Sequence, residues 1–456
     1  MVSRRIADLS EIESKLVPWF QKNMPQAQNI SVSDLRPPQG GFSTESFLFD
    51  LSWQEAGQKR SQGMVVRRPP HLPVFHDYDL RRQFLVMNRL QGTDIPVPRV
   101  HWQVEQDESV LGTPFYVMDR IDGWISPSDY PPYHTYGAYF DTSPEIRSKM
   151  WWGCLDYIVK IHKLDWKNLN LSFLGAPKGG TSTLDGLLDY HETLLNWVKG
   201  DEPQPILEAA LKWLRENHYV PERITLCWGD CRMPNTLYRP DGDVVAVLDW
   251  ELAYLGDPVS DLAWFLFLDW HQSDAFGLPK LEGTPGKEET VRRYEELTGW
   301  EVKNLFYNEV LAPFRAGPPI LRIYKNLKQM GIDILAEDIE LNNPCTQRIA
   351  SLLNLPAPGL KKEVIRIEDV KVTIQFHLTG PGGHDWYLIS DHGKTTTHEG
   401  KAESPEITLT ASVEDWEAIQ SGELGRTDAA LGGKLVIDGD VQLLQQLDAL
   451  VFKPRG

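Results

Sequence analysis

Apolar positions Ile6, Leu9, Ile12, Leu16 and Phe20 recur at helical spacing, so the chain opens on an amphipathic helix over 6–20. Three short apolar runs follow, at 30–35, 47–51 and 64–68, and read as strands. A Pro-Pro-Gln-Gly-Gly loop at 37–41 separates the first two. Residues 79–90 return to helical spacing, with Leu80, Phe84, Met87 and Leu90 on one face. Two more strands, 97–104 and 114–119, flank a polar turn at 105–113.

The second part is mainly helical. Residues 124–141 have no period and hold three Pro and four Tyr, which marks a long loop too aromatic for a disordered one; we expect it to form part of an acceptor site, or else to pack on the helical lobe. Helices are predicted over 146–164, 184–198 and 206–217. The apolar runs 224–227 and 244–248 flank a Pro240-Asp241-Gly242 turn and read as one β-hairpin. Helices over 259–270, 288–297 and 304–330 follow, the last expected to break or kink at Gly317-Pro318-Pro319. Helical character continues with interruptions to about residue 353. After a Leu-Pro-Ala-Pro-Gly linker at 355–359 the period falls to two: strands at 370–378, 385–390, 406–411 and 434–438, with helices at 413–421 and 441–450.

With 456 residues, 41% apolar and 24% charged, the chain has room for two or three globular domains. A net charge of −18 argues against nucleic-acid partners and anionic membrane surfaces. Residues 363–456 alone carry 8 Lys+Arg against 16 Asp+Glu. Cys154, Cys227, Cys231 and Cys345 form no CxxC pair and no zinc-spaced cluster with His; Cys227 and Cys231 read as buried small side chains. The N-terminus has no signal-peptide core, and the longest apolar run, 262–268, is far short of a membrane span, so a cytoplasmic protein without integral membrane association is expected.

Chemistry concentrates in residues 224–261. Asp230 and Asn235 stand five apart after the first apolar run, and Asp249 ends the second. Asp and Asn often do no more than mark turns. This spacing, however, is also the layout of a kinase catalytic loop followed by its metal-binding Asp: one carboxylate takes the proton of an attacking hydroxyl, while an amide and a second carboxylate offer the hard oxygens that Mg²⁺ prefers. The backbone of Gly40, Gly41, Ser43 and Thr44 suits a loop laid over phosphates, although a Gly-Gly pair is equally a plain turn.

Trp-Gly-Asp-x4-Asn, Leu-Asp-Trp-Glu and Gly-Asp-Pro-x2-Asp-Leu-Ala, in that order, resemble the aminoglycoside-phosphotransferase family, in particular the branch associated with acyl-CoA dehydrogenases. The resemblance implies an α+β, two-lobed protein-kinase-like fold with an antiparallel N-lobe sheet and a helical C-lobe. By the same resemblance, ATP lies under Gly40, Gly41, Ser43 and Thr44 with Arg67 on its phosphates and the backbone near Met118 against adenine. Asp230 becomes the catalytic base, Asn235 and Asp249 the Mg²⁺ ligands, and Asp261 a support for the catalytic loop. Two positions depart from the family: Trp228 stands where His-Gly-Asp has His, and Gln83 stands where a helix acid pairs with the strand cation. Most of 363–456 resembles a sterol-carrier-protein-type lipid-binding domain of small α/β build, lacking the extra opening helix of that family or taking it from 342–353. Domains are therefore expected at 1–122 (N-lobe), 123–355 (C-lobe), 356–362 (linker) and 363–456 (lipid-type domain). The combination implies an ATP- and Mg²⁺-dependent kinase acting on a small apolar hydroxylated acceptor, such as a hydroxyacyl-CoA, a hydroxy fatty acid or a sterol-like alcohol, with an acyl or sterol-like ligand for the C-terminal domain. A pseudokinase lipid-binding scaffold and an aminoglycoside kinase are the alternatives.

Overall fold

A computed structural model describes residues 9–356 apart from 38–43, 105–109, 124, 130, 176–181 and 330–337, and residues 371–451 apart from 393, 422–423, 425–428, 431, 440–443 and 445–450. The first unit is a helix against a five-stranded sheet: α1 (Leu9–Asn23), β1 (Gln28–Arg36), β2 (Glu45–Glu55), β3 (Gln58–Arg68), α2 (Leu80–Leu90), β4 (Val100–Val104) and β5 (Phe115–Asp119). Strand order is β1-β2-β3-β5-β4, antiparallel throughout. β2 and β3 run well past their apolar cores, because Ala56 and Gly57, both with positive φ, make the tight turn that suits the twist of a two-residue hairpin. The apolar face of α1 covers the sheet, with the Trp19 ring 5.1 Å from Phe115 and Phe20 5.9 Å from Phe49. On α2, Leu80, Val86, Met87 and Leu90 are buried, whereas the expected Phe84 is only half-buried. These four join the core of the second lobe rather than that of the sheet, so α2 ties the lobes together.

The second lobe contains α3 (Ala138–Asp141), α4 (Pro144–His162), α5 (Thr183–Lys199), α6 (Pro205–Glu216), β6 (Thr225–Cys227), β7 (Thr236–Tyr238), β8 (Val244–Val247), β9 (Tyr254–Gly256), α7 (Pro258–His271), α8 (Lys287–Thr298), α9 (Leu305–Gln329) and α10 (Pro344–Leu353). Two expectations need correction. The run 224–227 does not pair with 244–248: β6 pairs with β9, and β7 pairs with β8 across the Pro240-Asp241-Gly242 turn. The partner of 244–247 is the short segment directly after Asn235, whose three residues are too few to show a period. Second, α9 continues through Pro313, Pro318 and Pro319, so the break expected there does not occur. Burial along Tyr307–Leu321 and contacts with four other helices outweigh the lost N–H donors. Gly317 allows the close approach of α6, since a Cβ there would lie 2.6 Å from Leu207.

The last unit is a five-stranded sheet, β10 (Lys371–Thr379), β11 (Asp385–Asp391), β12 (Lys394–Glu399), β13 (Ile407–Ser412) and β14 (Leu435–Gly439), with α11 (Val413–Ser421). Its order is β12-β11-β10-β13-β14, and β10 and β13 are parallel. β12 went unread because all six of its residues are exposed and carry no alternation. The helix expected over 441–450 falls mostly outside the described residues. Phe376 stacks on Trp386 at 3.8 Å and meets Trp416 edge-on at 5.4 Å inside this sheet's core. No helix is long and apolar enough, among the described residues, to cross a membrane.

Candidate active site

β6 delivers the chain into Trp228-Gly229-Asp230, and buried groups fix that turn from behind. The Asp261 carboxylate, in the first turn of α7, accepts the backbone N–H of Trp228 at 2.6 Å and of Gly229 at 3.1 Å. His162 Nε2 lies 3.2 Å from the same carboxylate, and Tyr294 sets the ring from its other nitrogen at 2.8 Å. Gly229 has φ 88°, and a Cβ there would sit 2.0 Å from the Leu252 carbonyl oxygen, so only glycine fits. Arg315, buried on α9, donates to the Gly229 carbonyl at 3.0 Å and stacks over Trp264 at 4.7 Å. Trp228 is fully buried, and its indole N–H reaches the carbonyls of Leu248 and Asp249 at 2.8 and 3.2 Å. The residue that replaces the family's His is therefore a strut between the two acidic loops. The fold also brings His162, Cys227 and Asp261 within 4.8 Å of one another, a grouping hidden in the linear sequence. The Asp261 oxygens there already serve the two loop amides.

Asp230, Asn235 and Asp249 converge at the open end of this arrangement. Asp230 accepts from Trp264 Nε1 at 3.0 Å, Asn235 Nδ2 at 2.7 Å and Arg232 Nε at 3.1 Å. Burial pushes its carboxyl above the usual carboxylate range; Arg232, Asn235 and Trp264 pull it back and the charge of Asp249 adds to the rise. Because the Asn235 amide nitrogen is committed to Asp230, its oxygen is the atom left for a cation. Asp249 has φ 59°, a left-handed conformation uncommon outside glycine. That geometry turns its carboxylate toward Arg67, whose Nη1 and Nη2 each lie 3.4 Å from Oδ1. Burial opposes the Arg67 charge, but Tyr116, Asp249 and Glu251 outweigh it and hold the guanidinium above its ordinary pKa. The oxygens of Asn235 and Asp249 form a hard donor set suited to Mg²⁺, and a cationic side chain already lies against one of them.

Gly40, Gly41 and Ser43 lie outside the described residues. Thr44 is buried, and its hydroxyl donates to Glu251 at 2.9 Å. Met118 lies in β5 between Val65 of β3 and Val100 of β4; Asp119 and Arg120 still donate to neighbouring strands, so the chain leaves the sheet at Ile121. Gln83 does not reach Arg67. Its oxygen accepts from the Tyr116 hydroxyl at 2.9 Å and its nitrogen points to Glu251 at 3.4 Å. Glu251 was overlooked although it ends the quoted Leu-Asp-Trp-Glu; Arg315 and Trp264 left no signal in an apolar helical pattern.

The aromatic segment 124–141 packs on this lobe through Tyr133 and His134. The Tyr133 hydroxyl lies 2.7 Å and His134 Nε2 3.0 Å from the buried Asp269. His134 Nδ1 accepts from the Leu281 N–H, so Nε2 carries the proton toward Asp269. At the mouth of the cleft Asp129 of the same segment takes Arg232 Nη1 at 2.5 Å, which links the segment to Asp230 through one guanidinium. All four cysteines are free and buried, as expected for Cys227 and Cys231.

The phosphotransferase enzyme family pattern matches residues 34–297, and the SCP-2 sterol transfer family pattern matches 357–452. Acyl-CoA dehydrogenase family member 10 of Mus musculus is 30% identical over 207 residues, 44% of this chain and 18% of that protein. Acyl-CoA dehydrogenase family member 11 of Homo sapiens is 30% identical over 254 residues, 52% of this chain and 30% of that protein. The chain thus spans less than a third of either relative. Among solved structures, a Ralstonia eutropha protein assigned as an aminoglycoside phosphotransferase superposes with TM-score 0.53 and 23% identity over 75% of this chain and 98% of that one, a likeness of fold. The chain belongs to the phosphotransferase enzyme family and carries an SCP-2 sterol transfer family unit toward its C-terminus.

Proposed function

We propose that the protein transfers the γ-phosphoryl group of ATP to a hydroxyl of a small, largely apolar acceptor. The convergence of Asp230, Asn235, Asp249 and Arg67 on one cleft carries this reading. Asp230 takes the proton from the acceptor hydroxyl; its raised pKa makes it a better base than an exposed carboxylate, and the N–H groups of Trp264 and Asn235 aim its oxygens. Arg67 leaves Asp249 for the phosphates, which it can hold through two nitrogens at once. Asn235 and Asp249 would hold Mg²⁺, which when bound neutralises charge on the β- and γ-phosphoryl oxygens. The 119–123 crossover borders adenine, and the lobes divide near residue 122. Most of the acceleration comes from placement and charge neutralisation.

The acceptor class follows from the neighbouring unit. A sterol-transfer-type module behind a kinase, together with acyl-CoA dehydrogenase relatives, favours a hydroxyacyl-CoA, a hydroxy fatty acid or a sterol-like alcohol. Phosphorylation turns such a hydroxyl into a better leaving group. An acceptor screen with radiolabelled ATP tests the reading: transfer to a hydroxyacyl compound and none to aminoglycosides is expected. Mg–ATP binding without transfer to any alcohol would instead favour a lipid-binding pseudokinase.

A further inference from the structure

The cation of β3 has no acid on α2, where a kinase cleft keeps one to hold it. The structure shows where the missing charge has gone. Glu251 lies two residues beyond Asp249 on the loop from the second lobe, and its Oε2 faces the first lobe. It accepts the Thr44 hydroxyl at 2.9 Å, from the residue directly before β2, and the Gln83 amide at 3.4 Å, from the middle of α2. The Gln83 oxygen in turn accepts from Tyr116 at 2.9 Å, and Tyr116 lies beside Arg67 in the sheet. One carboxylate from the second lobe thus meets three separate elements of the first: the shoulder of the glycine-bearing loop, α2 and, by charge, the end of β3.

We propose that Glu251 is a positioning residue that supplies, from the metal-binding loop, the negative charge a kinase normally carries on its N-lobe helix. This inference rests on the nucleotide-site reading of Arg67 and Asp249. Gln83 is then a relay rather than a lesion: an amide can accept from Tyr116 and donate to Glu251 together, which a glutamate there could not do beside a second carboxylate. Placing the acid on the loop that carries Asp249 ties Thr44, before β2, and Gln83, on α2, to that loop through one side chain.

The charge-relocation test uses Glu251→Gln, Gln83→Glu and the double variant, each assayed for Mg–ATP affinity and kcat on the full chain. Glu251→Gln is expected to weaken Mg–ATP binding about tenfold, the size of one lost charge-assisted contact. Gln83→Glu alone sets two carboxylates against each other and should weaken binding to a similar degree. The double variant returns one carboxylate to the network and should recover to within about threefold of wild type. Recovery is the readout that a merely structural role would not give. Wild-type affinity in Glu251→Gln, or a double variant no better than the worse single one, overturns the inference. Thr44→Val keeps the test open if Glu251→Gln misfolds: it removes the tethered hydroxyl and no charge, and should raise the KM for ATP more than it lowers kcat; an unchanged KM counts against the tether. A wild-type protein that does not bind Mg–ATP refutes the nucleotide reading and this inference together, whereas a binding wild type with an indifferent Glu251→Gln refutes this inference alone.

Discussion

Both terminal nitrogens of Arg67 sit 3.4 Å from a single oxygen of Asp249, so the cation from one lobe and the carboxylate from the other neutralise each other across the cleft. The contact is long for a charge-assisted pair, whose optimum is about 2.7–2.9 Å, and is therefore cheap to exchange for phosphate on one side and a metal on the other. Saturating Mg–ATP at about 100-fold over Kd should stabilise the fold by roughly 2.7 kcal/mol. Asp249→Ala should abolish the Mg²⁺-dependent part of that gain. Thermal unfolding of both proteins, with and without Mg²⁺, checks it; an equal shift in the variant removes Asp249 from the metal site.

Asp230→Asn should lower kcat by about 10²- to 10⁴-fold, the usual contribution of a general base, with nucleotide affinity nearly intact. Because the folded-state pKa of Asp230 is raised, the wild-type rate should begin to fall at a pH above the ordinary carboxylate range as the solution is acidified. The same shift has a stability sign. An Asp whose folded pKa exceeds its unfolded one is best tolerated protonated, and its contribution is lost as pH rises through that window. Asp230→Asn should consequently raise Tm at neutral pH while it silences turnover; a lowered Tm would contradict the burial argument.

Trp264→Phe keeps a ring under the Arg315 guanidinium and removes only the N–H on Asp230 Oδ1. Losing a donor to the ionised form should move the acid limb of the pH–rate profile to higher pH, with little change in Tm. A profile superimposable on wild type would show that this N–H does not tune the base.

Trp228→Phe tests the strut. The Leu248 and Asp249 carbonyls lose their indole donor inside the core, at a cost of about 1–3 kcal/mol by denaturant titration. Gly229→Ala should be worse, more than about 3 kcal/mol, since its Cβ would overlap the Leu252 carbonyl and its φ is unfavourable for alanine. A Gly229→Ala protein of normal stability would mean that the turn can relax away from Asp261.

How much was legible follows from where each signal lives. That Asp230, Asn235 and Asp249 would come together was readable because their spacing is local. Long strands and amphipathic helices were readable for the same reason, as with α1 and α2. Pairing was not: 224–227 looks like the partner of 244–248 until one knows that Thr236–Tyr238, three residues long, is the strand that binds it. The continuity of α9 was hidden because local proline chemistry is overruled by burial that only the assembled lobe provides. Glu251 was visible but meaningless in sequence, since its partners Thr44 and Gln83 are 207 and 168 residues away.

The Trp228–Asp230 turn is gripped from its buried side, by the Asp261 carboxylate on two amides and by Arg315 on a carbonyl, and neither grip uses the Asp230 carboxylate. Under the proposed function, reaction and selectivity are thereby built on separable parts. Asp129 of the 124–141 segment meets this turn at its rim, through Arg232, so under the proposed function the segment's remaining residues can be redesigned toward a different alcohol with the grip on the turn unchanged. A lineage with this arrangement can change what it phosphorylates without relearning how.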